Sequence, residues 1–98
     1  MVEQVIRLTV SLIVNEGQMD AFKSIAATMT EGSKAEPGTL GYEWFASGDG
    51  KRFRLVETYV DSSAVEAHFM GPVVQQWVPK LAAGFGAVIY GYWLGINR

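Results

Sequence analysis

The sequence predicts an α+β domain in which one antiparallel sheet of four strands carries helices on a single face. Three observations predict it. Residues 5–14 alternate apolar and polar side chains, the hydrophobic period changes just after Gly17, and two aromatic-rich runs flank the loop Gly48-Asp49-Gly50-Lys51-Arg52. At 98 residues the chain has room for one domain, spanning 1–98. The composition is 49% hydrophobic and 12% aromatic, which sets it apart from disordered chains.

The first strand reads VIRLTVSLIV from Val5 to Val14. Ile6, Leu8, Val10, Leu12 and Val14 fall on the face that goes to a core; Arg7, Thr9 and Ser11 fall on the other. Asn15-Glu16-Gly17 is a turn. From Gln18 to about Ala35, Met19, Phe22, Ile25, Ala26 and Met29 recur at helical spacing, and Pro37-Gly38 stops the helix. Leu40–Ser47 and Phe53–Val60 form a hairpin. In its first strand Tyr42 and Trp44 share one face, Glu43 and Phe45 the other; in its second, Phe53, Leu55, Glu57 and Tyr59 share a face. Asp61-Ser62-Ser63 supplies cap candidates, with capping-box spacing from Ser63 to Glu66. A helix over about Ser62–Phe69 places Val65, His68 and Phe69 on one side. Pro72 suits the first turn of a third helix, with Val73 or Val74, Trp77 and Leu81 inward. Pro79 predicts a kink or restart, and Gly84 and Gly86 end the helix. Val88–Ile96 is the last strand, with Tyr90 and Tyr92 on one face and Ile89 and Trp93 on the other.

The resulting order, β-α-β-β-α-(α)-β, is the ferredoxin-like split β-α-β arrangement. Its second sheet face is half apolar and needs a cover, which suggests a homodimer in which two such sheets form a barrel.

Composition also excludes functions. Ten acidic against eight basic residues give a net charge of −2, so there is no electrostatic footprint for nucleic acid. No cysteine means no disulfide, thiolate nucleophile or Cys-type zinc site. With one histidine, a His-rich metal site would need several chains, and no metal is expected. Gly48-Asp49-Gly50 lacks the spacing and the strand-to-helix context of a phosphate loop. No membrane span or signal peptide is visible near the start, so a cytoplasmic protein is expected.

Three stretches carry a family likeness: Pro37-Gly38-Thr39-Leu40-Gly41-Tyr42-Glu43, Arg54-Leu55-Val56-Glu57-Thr58-Tyr59, and Ala64-Val65-Glu66-Ala67-His68. The sequence resembles the antibiotic biosynthesis monooxygenase family of the dimeric α/β-barrel superfamily across essentially its whole length in element order. The resemblance implies a ferredoxin-like monomer, a barrel in the dimer and a pocket between sheet and helices. It departs from many relatives in three places, one of them the unusually aromatic last strand, Tyr90-Gly91-Tyr92-Trp93-Leu94. Phe69-Met70-Gly71-Pro72 lacks a second His, and Tyr59 stands where a Trp often follows the strand-3 Glu.

His68 is the sole imidazole, and its expected role is a general base or hydrogen-bond donor; the alternative is a core-edge histidine satisfied by Glu57 or a carbonyl. Glu57 is its expected orienting partner, or else a structural carboxylate bonded to the start of the second helix. Arg7 either clamps an anion or makes an intersubunit or solvated contact. Tyr42, Trp44, Tyr59, Phe22 and Trp77 are candidate pocket walls, with core filling as the alternative. The function these imply is a cofactor-independent monooxygenase taking dioxygen and a small apolar aromatic of quinol, phenol or anthrone type. The alternatives are a non-catalytic dimeric barrel that binds a hydrophobic metabolite, and a haem-degrading relative. The last would need an axial His later in a helix and an Asn in the first strand, and this chain has neither.

Overall fold

A computed structural model describes residues 5–81 and 87–97, the latter stretch as backbone only. The element order is β1 (Val5–Val14), α1 (Met19–Lys34), β2 (Thr39–Ala46), β3 (Arg52–Tyr59), α2 (Ser62–Met70), α3 (Pro72–Pro79) and β4 (Ala87–Asn97). The strands form one antiparallel sheet in the order β2-β3-β1-β4. This is the α+β, ferredoxin-like arrangement that the hydrophobic periods predict. The expected split of Ile89, Tyr90, Tyr92 and Trp93 between two faces, and the stop at Gly84 and Gly86, lie outside the described residues.

One face of the sheet carries the core. Leu8, Leu12 and Val14 of β1 and Phe53, Leu55 and Tyr59 of β3 are buried there, as their alternation requires. At one end Phe22, Ile25, Ala26 and Met29 of α1 pack on Leu12, Val14, Phe53 and Leu81; Trp44, Val73 and Trp77 close the cluster from its edge. At the other end Leu8, Tyr59 and Ala64 form a smaller cluster with Ile6 and Val65. The second cluster sits beneath α2, and it is there that the polar residues collect.

Two local devices set the site. The first is a β-turn, Glu36-Pro37-Gly38-Thr39, closed by the Thr39 N–H donating to the Glu36 carbonyl at 3.3 Å. Pro37 occupies its second position and Gly38 its third with φ +89°, the pattern of a type II turn. The second is a bulge in β2. Thr39 pairs with Tyr59, but Gly41 pairs with Thr58 and Tyr42 with Glu57, so Leu40 is the extra residue and is exposed. Without it, Tyr42 would face Val56, on the opposite side of the sheet. α2 begins at an Asp61 cap whose carboxylate accepts the Ala64 N–H at 2.8 Å, so Asp61 fills the cap rather than Ser63.

Two expectations are corrected. Pro79 neither kinks α3 nor restarts it; it is the helix's last residue, and a wider turn follows at Lys80–Leu81. Phe69 is not inward but 40% exposed, because Ala64 and His68, one turn apart, make the buried stripe of α2.

Candidate functional site

The fold brings His68, Glu57, Tyr59 and Tyr42 together and adds a residue that the sequence reading did not single out, Glu36. His68 projects from α2 onto the core face of the sheet and is 3% exposed, a buried residue rather than a core-edge one. Its Nε2 lies 3.1 Å from Glu57 Oε1, the pairing expected from the sequence. Its Nδ1 lies 2.6 Å from Glu36 Oε1. The Tyr59 hydroxyl, itself fully buried, donates to the same Glu57 Oε1 at 2.5 Å. The rings of Tyr59 and Tyr42 flank the imidazole, with centroids 5.2 and 6.1 Å away.

Both ring nitrogens thus face carboxylate oxygens. A neutral imidazole has one N–H and could satisfy only one of them; the other contact would set a lone pair against an oxygen. The cluster therefore holds one proton more than a neutral ring and two carboxylates would. Burial by itself would lower the His68 pKa, but hydrogen bonds and charge from Glu57 and Glu36 outweigh it, and the net direction is upward. Burial first, and then the Glu57 charge, push the Tyr42 and Tyr59 phenols well above their ordinary range, so both stay protonated. Glu36 and Glu57 engage opposite sides of one ring and do not converge on a point. Among the described residues no group of three or more His, Asp or Glu side chains could hold a metal ion.

A histidine held as a cation in the fold stabilises it fully below the ordinary histidine pKa of about 6.5, and that contribution is lost as pH rises through the folded-state value. Stability to urea is therefore expected to fall from pH 6 toward alkaline pH. A His68→Gln variant should lose that slope. An equal slope in the variant would show that His68 is not the group responsible.

The remaining candidates lie elsewhere. Phe22 and Trp44 line an open apolar cavity of about 520 Å³ between α1 and the sheet, together with Ala26, Ala27, Thr30 and Phe53. Phe22 meets Trp44 edge-on at 5.4 Å, and the Trp44 indole donates to Thr30 Oγ1 at 2.9 Å. Trp44 also meets Tyr42 edge-on at 6.4 Å, so a row of rings joins the cavity to the polar cluster. Trp77 packs against the core cluster with Lys80 over its ring and does not line this cavity. Tyr42 and Tyr59 are walls of the polar cluster rather than of the cavity. Arg7 is exposed and donates to Thr58 on the outer face of the sheet. The sequence marks Glu36 only by its place immediately before the Pro-Gly turn that leads into the strand carrying Tyr42, and nothing there points to His68.

A small split β-α-β domain with a buried carboxylate–imidazole–carboxylate cluster beside an apolar cavity defines the class of this molecule. Residues 1–80 match the family model for antibiotic biosynthesis monooxygenases, and the chain belongs to that family. Among curated proteins none matches the chain. Solved structures similar to it include a conserved protein of unknown function from Bacteroides thetaiotaomicron, with a TM-score of 0.86 at 24% identity over 97% of this chain and 99% of that one. MupZ from Pseudomonas fluorescens is similar with a TM-score of 0.78 at 22% identity, over 92% of this chain and 69% of that one. A candidate antibiotic biosynthesis monooxygenase from Nitrosomonas europaea is similar with a TM-score of 0.77 at 21% identity, over 99% and 90%. At these identities the likeness shows the fold. Among the described residues no helix is long and apolar enough to cross a membrane.

Proposed function

We propose that the protein is a cofactor-independent monooxygenase acting on a small apolar aromatic of quinol, phenol or anthrone type. The observation that carries this reading is the cavity between α1 and the sheet. Its volume, about 520 Å³, falls in the range of small-molecule sites, and its lining surface is mostly apolar, from Phe22, Trp44, Phe53 and two alanines, with Lys23, Glu31 and Lys34 also lining it. In this reading the substrate supplies the electrons. For a methylene between two aromatic rings, removal of a proton leaves a carbanion that reduces dioxygen. One oxygen atom ends as the substrate's carbonyl, the other leaves as water, and both methylene hydrogens go with that water. The protein's share is a dry aromatic surface and a proton acceptor. That acceptor is the Glu57–His68 pair acting as a unit, because neither ring nitrogen is free of a carboxylate.

Dioxygen uptake with an anthrone or a naphthoquinol is expected without any added cofactor and in the presence of chelator. An Ala27→Trp variant, which fills the cavity from an exposed helical position, should lower kcat/KM at least about tenfold, the effect of losing roughly 1.4 kcal/mol of transition-state binding. Uptake that requires added flavin or haem would overturn the mechanism.

A second reading, a non-catalytic barrel binding a hydrophobic metabolite, is favoured by one feature. Glu36, His68, Glu57 and Tyr59 spend their hydrogen bonds on one another. Binding of the same aromatics without oxygen uptake would select it.

We also propose that the protein is a homodimer joined through the outer face of the sheet. Phe45, 52% exposed, stands on that face with Ile13 and Arg54 around a second cavity of about 740 Å³. A concave surface that exposes Phe45 and Ile13 between Arg52 and Arg54 on so small a domain is the kind that a second copy covers. Light scattering at low micromolar concentration should give twice the mass of 10.7 kDa. A stable monomer would rule the interface out.

A further inference from the structure

The polar cluster is a continuous chain of two hydrogen bonds and one close ion-pair contact, with one sealed end and one open end. It runs from the Tyr59 hydroxyl to Glu57 Oε1, on to His68 Nε2, across the ring to Nδ1, and to Glu36 Oε1. Tyr59 is 0% exposed, and the side chains of Glu57 and His68 are each 3% exposed, whereas that of Glu36 is 20% exposed. Of the four, Glu36 alone meets water to any extent. Its position is built, not incidental. The Glu36 N–H closes the end of α1 on the Ser33 carbonyl at 3.1 Å, and its own carbonyl accepts from Thr39 across the Pro37-Gly38 turn. Its second carboxylate oxygen lies beside the C-terminus of α2, 3.4 Å from where a Cβ on Gly71 would stand.

We propose that Glu36 is the solvent port of a proton relay, the residue through which His68 and Glu57 exchange protons with bulk water. An imidazole bonded at both nitrogens conducts by exchange. Because both ring nitrogens already carry protons, uptake of a proton by Glu57 is balanced in charge by release of the Nδ1 proton to Glu36, which passes it to water, while Nε2 keeps its own. The charged and titratable groups facing the ring are Glu57 and Tyr59 from β3, Tyr42 from β2 and Glu36 from the turn after α1. Of these, the two tyrosines are held protonated, which leaves the two carboxylates as the groups that exchange protons with it. This inference rests on the proposed reading only for its use: an acceptor that takes a substrate proton at each turnover must return it to solvent, and His68 has no solvent contact of its own. Glu36 is thus a positioning and relay residue.

The test needs no substrate, so it stands apart from the fate of the monooxygenase reading. His68 is the sole histidine, and its ring gives one set of nitrogen and N–H resonances in labelled protein. In the unaltered chain at pH 7 both ring nitrogens should be protonated. Glu36→Gln should lower the ring pKa by one unit or more, a tenfold change in its protonation equilibrium, and should slow exchange of the Nδ1 proton with water at least tenfold. Glu57→Gln should lower the pKa but leave that exchange fast, a difference that a merely structural role for Glu36 would not produce. If Glu36→Gln does not fold, Glu36→Asp, which withdraws the carboxylate by one methylene, should slow the exchange in the same direction. A neutral ring at pH 7, or exchange unchanged in the Glu36 variants, overturns the proposal.

Discussion

Replacing His68 with Ala is expected to destabilise the protein by about 3–5 kcal/mol, the usual result of removing one partner from a buried ion pair. An imidazole at the edge of a core would be lost with little change to the fold. The burial of His68 between Glu36 and Glu57 reverses that expectation. Without the ring, Glu57 is left 3% exposed with a single donor, Tyr59, and Glu36 faces it across the cavity with no cation between them. A domain of this size is commonly stable by only about 5–15 kcal/mol, so the variant stands near the threshold of unfolding. Urea denaturation at pH 7 measures the loss. Adding Glu57→Gln to His68→Ala removes one of the stranded charges and should recover part of it. If the single variant loses under about 1 kcal/mol, the ring is not holding a charge pair. Where enough folded variant remains, oxygen uptake should fall about 10²–10⁴-fold, the contribution of a positioned acid–base group. Full activity would remove His68 from the proposed mechanism.

Gly38→Ala is expected to cost about as much, for a different reason. Gly38 holds φ +89° in the turn between α1 and β2, a conformation that costs an L-residue roughly 1–2 kcal/mol. A Cβ there would also stand 2.6 Å from the Cβ of Ala64 and 3.1 Å from Val60 Cγ1. Forcing a methyl into so close a contact typically adds about 1–3 kcal/mol. Gly50→Ala separates the two effects, since Gly50 has φ +72° but nothing within 4 Å of an added Cβ. The variant at Gly50 should lose only the backbone share, and the excess loss at Gly38 measures the clash with α2. Thermal unfolding of the two variants makes the comparison, and equal losses would show that α2 does not press on the turn. Because the same turn carries Glu36, the Gly38 variant should also shift the His68 ring resonances, whereas the Gly50 variant should not.

The elements themselves were legible because each has its own hydrophobic period. β1 is Val5–Val14 in both reading and structure, since an alternation broken only by Val5 and Ile13 fixes the register of a strand with one buried face. The hairpin strands differ from expectation by a residue at each end, as element ends do when no cap marks them. The pairing of His68 with Glu57 was legible too: a lone carboxylate among Phe53, Leu55 and Tyr59 on a core face requires a partner, and His68 lies on the element that follows. For Trp77 the sequence leaves two readings open, because an inward aromatic at helical spacing looks the same whether it fills a core or lines a pocket; the structure packs it against the core.

What the sequence alone determined about this protein is its class. The alternation of β1, the helical stripe of α1 and the Pro37-Gly38 and Gly48-Asp49-Gly50 turns are local patterns, readable because their periods are properties of backbone geometry. Tertiary structure alone brought Glu36 and Tyr42 to the His68–Glu57 pair. The Leu40 bulge turns Tyr42 and Trp44 onto the core face, and the Pro37-Gly38 turn swings Glu36 across to α2, 32 residues away along the chain, against His68 Nδ1. A bulge and a long-range contact leave no periodic trace, because they answer to what lies across the sheet and not to the residues beside them. The second carboxylate on one imidazole, from which the raised His68 pKa and the path to solvent both follow, therefore emerged only when the chain had closed on itself.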